Sequence, residues 1–151
     1  LPPMSRNSQC SVLVVEDEVD LQQTIVESLE ADGFTATAAL TAAEARERLK
    51  GFAFDALVVD LRLPDADGMD VLDEALSRYP DIRAVVTTGF GGVPEAVTAM
   101  KRGAVDFLIK PFQLAQLARI LRASIDSQVL RAENAELRAQ LRDRFRLDNI
   151  I

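Results

Sequence analysis

The sequence predicts an α/β domain, a five-stranded parallel sheet with helices on both faces. Three observations carry this. Short apolar runs without polar alternation, such as Val12-Leu13-Val14-Val15 and Ala56-Leu57-Val58-Val59, suit strands buried on both sides. Such runs alternate with segments whose apolar residues repeat at helical spacing, at the short separations that right-handed crossovers connect. With 151 residues, 48% of them apolar, the chain fills one core and is too short for two ordinary domains.

Residues 11–15 form the first strand, stopped by Glu16-Asp17-Glu18. From Val19 to Ala31, Leu21, Ile25, Val26 and Leu29 share a helical face, and Gly33 ends the segment as a C-terminal cap. Phe34 to Leu40 is a weaker, Thr/Ala-rich strand. Thr41 then caps a helix that buries Ala42, Ala45 and Leu49, with Glu44 in capping-box position. Strand 56–60 runs into the loop Leu61-Arg62-Leu63-Pro64-Asp65-Ala66-Asp67-Gly68, and Met69 to Arg78 is a helix with Val71, Leu72, Ala75 and Leu76 inward. Ile82 to Thr88 is the fourth strand. After a Gly-rich loop, Pro94 opens a helix to Arg102 that is expected to bury Ala96, Val97 and Met100. Ala104 to Ile109 is the fifth strand, and Lys110-Pro111-Phe112 leads to a last helix from about Gln113.

A net charge of −7 and a pI near 4.6 argue against a broad footprint for nucleic acid or anionic membrane. No segment approaches membrane-spanning length and the start lacks a secretion signature, which fits a cytoplasmic protein. Cys10, the sole cysteine, lies in a polar stretch and reads as a bystander thiol. The absence of His removes the commonest general base and the commonest transition-metal ligand together, so any site runs on oxygens, Lys or Arg.

In open parallel sheets the functional crevice lies at the carboxyl ends of the strands. Here those ends carry Glu16-Asp17, Asp60, Thr87-Thr88 and Lys110. Asp60 read from its own segment is either a site carboxylate or a cap for the next helix, and the matching groups decide for the site. Converging carboxylates repel one another unless a hard divalent ion joins them; Mg²⁺ suits such oxygens, with Mn²⁺ as an alternative. A carboxylate screened in this way can attack phosphorus and form an acyl phosphate, with Lys110 and a Thr hydroxyl holding the phosphoryl oxygens.

Glu16-Asp17, Asp60 with Pro64 and Gly68, Thr88-Gly89 and Lys110-Pro111, spread over residues 11–125, resemble the receiver domain of two-component response regulators. The resemblance implies a flavodoxin-like (βα)5 sheet of strand order 2-1-3-4-5, and the run beyond Ser124, with no Gly or Pro to stop it, predicts an extended C-terminal helix. It implies Asp60 as phosphoacceptor, and a metal held by Glu16, Asp17, Asp60 and the backbone carbonyl of Arg62. Thr88 becomes the switch hydroxyl, with Thr87 the alternative because strand alternation lets one of the two face the site. Lys110–Pro111 becomes a cis peptide. Phe107 falls at the aromatic switch position, where core packing is the competing role. A sensor histidine kinase is the implied partner, and the chain is a substrate that helps catalyse its own phosphorylation and dephosphorylation rather than a turnover enzyme. Phosphorylated Asp60 would draw in Thr88 and Lys110, remodel Gly89-Phe90-Gly91-Gly92 and free space for Phe107, with the fourth helix, fifth strand and fifth helix as readout.

Residues 126–145 read as a helical linker in which Leu130, Asn134, Leu137 and Leu141 form a two-stranded coiled-coil seam, predicting a homodimer; a solvated extension of one helix is the alternative. Phe145 to Ile151 is similar to the entry into the ATPase domain of sigma-54-dependent, nitrogen-regulation-type activators, so residues 146–151 read as the start of a truncated output domain. DNA and RNA polymerase are then partners only through missing domains. Residues 1–10 read as a disordered or cloning-derived start. Rival readings are a flavin carrier, disfavoured because Glu16-Asp17-Glu18 repels phosphate, and a dehalogenase-type phosphatase, whose second Asp is replaced by Arg62. A stand-alone phosphorelay or phosphorylation-independent interaction module is the remaining alternative.

Overall fold

A computed structural model describes residues 10–89 and 91–126. The predicted coiled-coil seam of Leu130, Asn134, Leu137 and Leu141, the predicted output entry at 146–151, Phe90 and residues 1–9 lie outside the described residues. Strands β1 (Ser11–Val15), β2 (Thr35–Ala39), β3 (Ala56–Asp60), β4 (Arg83–Thr88) and β5 (Asp106–Ile109) alternate with helices α1 (Val19–Ala31), α2 (Ala42–Gly51), α3 (Gly68–Arg78) and α4 (Val93–Arg102). A further helix, α5, covers 114–126. All strand pairs are parallel and the sheet order is β2-β1-β3-β4-β5, as the resemblance implies.

Strand alternation divides the core into two layers. Leu13, Val15, Leu57, Val59, Ala84 and Val86 face α2, α3 and α4, while Val12, Val14, Ala56, Val58, Val85 and Leu108 face α1 and α5. Because both sheet faces are covered, the central strands have no polar side to show, which is why they read as unbroken apolar runs. Gly33 closes α1 with φ 94°, and the Phe34 N–H donates to the Leu29 carbonyl at 3.0 Å across it.

Two expectations are corrected. Val97 and Met100 of α4 are 43% and 38% exposed, and it is Ala96 and Ala99 that are buried. Alanines let α4 lie close over the sheet, so the larger side chains turn outward. Cys10 is buried among Val12, Phe34 and the residues around them, and so belongs to the core rather than to a polar leader.

The register then aligns the strand ends. Val15 pairs with Val59, Asp60 with Thr87 and Thr88 with Ile109, so the residue after β1, the last of β3 and the residue after β5 arrive at one edge.

Candidate functional site

Glu16 follows β1 and is fixed by its own N–H, which donates to the Ala39 carbonyl at 3.1 Å. Asp60 ends β3, and the Leu61 N–H continues the ladder to the Thr87 carbonyl at 3.0 Å. Lys110 follows β5, where its N–H donates to the Thr88 carbonyl at 2.8 Å and its bond to Pro111 is cis. Backbone ladders therefore aim all three side chains at one point. The Lys110 Nζ lies 2.6 Å from Asp60 Oδ2 and 2.6 Å from Glu16 Oε1. Glu16 and Asp60 are buried and Asp17 is exposed, and carboxylate oxygens of the three lie within 4.8 Å of one another.

The second oxygen of each buried acid is held by backbone. Asp60 Oδ1 accepts from the Arg62 N–H at 2.9 Å, and Glu16 Oε2 accepts from the Glu18 N–H at 3.1 Å. Burial pushes the Glu16 carboxyl above its ordinary pKa, and the hydrogen bonds from Lys110 and Glu18 recover only part of that. Burial would lower the Lys110 ammonium, yet its bonds to Asp60 and Glu16 outweigh burial and hold its pKa above the ordinary value. Lys110 thus stays charged at neutral pH, one cation among three acids. That imbalance, together with a donor set made only of oxygens, fits a hard divalent cation such as Mg²⁺.

The β3–α3 loop is locked onto this edge. The Gly68 N–H donates to the Leu61 carbonyl at 2.9 Å, and a Cβ at Gly68 would overlap the Asp60 carbonyl oxygen, so only glycine allows α3 to start there. Asp65 was not singled out by the sequence reading. Its carboxylate accepts from the Ala42 and Ala43 N–H groups at 2.8 and 3.0 Å, tying the loop that carries Arg62 to the N-terminus of α2. A loop acid whose partner is an N-terminus 23 residues away leaves no local pattern to find.

Thr87 and Thr88 are both buried. Alternation puts Thr87 on the sheet face of Val85, shared with Asp60, and Thr88 on the face of Val86, shared with Phe107. The Thr88 hydroxyl points to the Gly89 carbonyl at 3.5 Å. Phe107 is half-buried against the core layer beneath α4, so the structure shows it packing there.

A doubly wound five-stranded sheet that gathers three acids and a lysine at its carboxyl edge defines a narrow class of α/β domain. The chain belongs to the response regulator receiver domain family, whose model matches residues 12–122. It is 34% identical over 128 residues to the C4-dicarboxylate transport transcriptional regulatory protein DctD of Rhizobium meliloti, covering 85% of this chain and 28% of that protein. It is 36% identical over 140 residues to the acid tolerance regulatory protein ActR of Rhizobium meliloti, covering 93% of this chain and 70% of that one. The beryllofluoride-activated NtrC4 receiver domain dimer superposes with a TM-score of 0.73 at 34% identity, covering 78% of this chain and 97% of that structure. The chain spans under a third of the length of DctD. Among the described residues no helix is long and apolar enough to cross a membrane.

Proposed function

We propose that this receiver domain takes a phosphoryl group on Asp60 from a sensor histidine kinase and relays that event to an attached transcriptional output. The observation that carries the reading is the buried Asp60 carboxylate 2.6 Å from the Lys110 ammonium, beside two further acids. An Asp60 oxygen attacks phosphorus, an acyl phosphate forms, and the bond from phosphorus to the donor's leaving atom, nitrogen in a phosphohistidine or oxygen in an acyl phosphate, breaks with its electron pair leaving on the donor. With no His among these 151 residues, the donor lies outside them, a kinase phosphohistidine or a small acyl phosphate. Glu16, Asp17, Asp60 and the Arg62 carbonyl would hold Mg²⁺, which supplies neutralisation of the phosphoryl charge as it transfers. Lys110 releases its ion pair with Asp60 and takes up a phosphoryl oxygen instead. The chain is thereby a self-modifying substrate rather than a turnover enzyme.

The output we assign is a transcriptional regulator of the sigma-54-dependent type, supported by the similarity to DctD and NtrC4 and by the residues Phe145 to Ile151. A second copy of the chain is the proposed partner of the phosphorylated state, supported by the dimer that the activated NtrC4 receiver forms. Incubation with acetyl phosphate and Mg²⁺ followed by intact mass tests the core of this. One labile phosphoryl adduct is expected on wild type and none on Asp60→Asn or in excess chelator. An unmodified wild type overturns the reading.

A further inference from the structure

Gly89, Gly91 and Gly92 look alike as loop glycines, yet their surroundings separate them. A Cβ at Gly89 or Gly91 would meet nothing within 4 Å, and Gly91 needs glycine for its backbone, with φ 97°. Gly92 has φ −91°, open to any residue. A Cβ there would overlap the Thr88 hydroxyl oxygen and stand 3.0 Å from Thr88 Cβ and 3.2 Å from its Cγ2. Both backbones are pinned. The Thr88 carbonyl accepts from Lys110 N–H at 2.8 Å, the Gly92 N–H donates to the Gly89 carbonyl at 3.0 Å, and the Gly92 carbonyl accepts from Ala96 N–H at 3.0 Å.

We infer that Gly92 is a positioning residue: its missing side chain is the seat of the Thr88 hydroxyl in the unphosphorylated chain, and it ties the Thr88 rotamer to the first turn of α4. The inference rests on the phosphoacceptor reading, in which that hydroxyl leaves its seat for a phosphoryl oxygen. Threonine distributes a hydroxyl, a methyl and a hydrogen over three staggered positions. A methyl in the seat would collide as the oxygen does, so a side chain at 92 admits only the hydrogen there. The hydroxyl must then move to the position Cγ2 now occupies, or the start of α4 must draw back. Either response disfavours the resting arrangement selectively, and the switched one gains population.

The test uses Gly92→Ala in the wild-type and Thr88→Ala backgrounds. Titration with beryllofluoride and Mg²⁺ is expected to show Gly92→Ala binding about three- to tenfold tighter than wild type, as a selective loss of the resting state requires. Urea unfolding is expected to show Gly92→Ala lowering the midpoint more where Thr88 is present, since Thr88→Ala removes the overlapping oxygen while the close Cβ contact and the backbone effect of Gly→Ala are common to both backgrounds. Unchanged beryllofluoride affinity, or equal midpoint losses in the two backgrounds, overturns the inference and leaves the phosphoacceptor reading standing. A wild type that takes up neither beryllofluoride nor phosphoryl overturns that reading instead, while the unfolding comparison still decides whether Gly92 seats Thr88.

Discussion

Among the described residues Lys110 is the one cation joining Glu16 and Asp60, and its removal separates two roles that are fused in the wild type. Without it the acids keep their mutual repulsion and lose a competitor for a divalent ion. Lys110→Gln is therefore expected to bind Mg²⁺ roughly three- to tenfold more tightly while accepting phosphoryl from acetyl phosphate far more slowly; calorimetry and intact mass read the two effects. Glu16 gives a pH signature. Its folded pKa lies above its unfolded one, so its contribution favours the metal-free fold below the ordinary glutamate value and is lost as pH rises through the raised value. Glu16→Gln, which mimics the neutral acid, should melt higher than metal-free wild type at neutral pH, with the gap closing below about pH 4. Added Mg²⁺ should raise the wild-type melting temperature and leave the variant's nearly unchanged. Melting curves that ran parallel across this range would contradict the assignment. Asp60, Glu16 and Lys110 were legible in the sequence because each follows an apolar run, so the strand end predicts the residue's place. Thr88 was legible through the resemblance, as the hydroxyl directly before Gly89, with Thr87 the alternative. The rotamer that points it at Gly89 is a property of the surroundings and leaves no trace in spacing.

At the scale of elements, α2 shows how far local signals reach. The Thr41 side chain accepts from the Glu44 N–H at 3.1 Å, as its position before the apolar face predicts, and Thr41→Ala should cost about 1 kcal/mol in urea unfolding. The remaining first-turn N–H groups are satisfied by Asp65, and hydrogen bonds from Ala42 and Ala43 hold that carboxyl below its ordinary pKa. A depressed folded pKa means the contribution is present above the unfolded value and lost as pH falls through the folded one. The difference in melting temperature between wild type and Asp65→Ala should accordingly be constant near neutrality and shrink below about pH 4. A difference independent of pH would mean that packing, not the charged cap, is what Asp65 supplies. The alternation of strands and helices followed from periodicity and the strand order from the resemblance, whereas the buried face of α4 followed from neither. The pattern at 96, 97, 99 and 100 fits either stripe, and only the close approach of α4 to β4 selects the alanines.

For the whole molecule, the consequence is an apolar face that stands exposed among the described residues. Val93, Val97 and Met100 of α4 and Ile109 of β5 are each between 36% and 43% exposed, on elements that begin or end beside Thr88 and Lys110. A change at Asp60 that moves Thr88 reaches this face through the first turn of α4, with no longer path required. Apolar side chains grouped on one helix and its neighbouring strand mark a surface that gains by being covered, and the proposed occupant is a second copy of the chain. Light scattering after size exclusion should show wild type moving toward dimer with Mg²⁺ and beryllofluoride. The double variant Val97→Glu, Met100→Glu should bind beryllofluoride normally yet stay monomeric, because neither residue touches the acids and both would place charge in the contact. A double variant that dimerises like wild type would move the contact off α4 and onto another surface, with the leucine row after residue 126 the first to test by truncation. A wild type that binds beryllofluoride and remains monomeric would remove a second copy as the partner of this face.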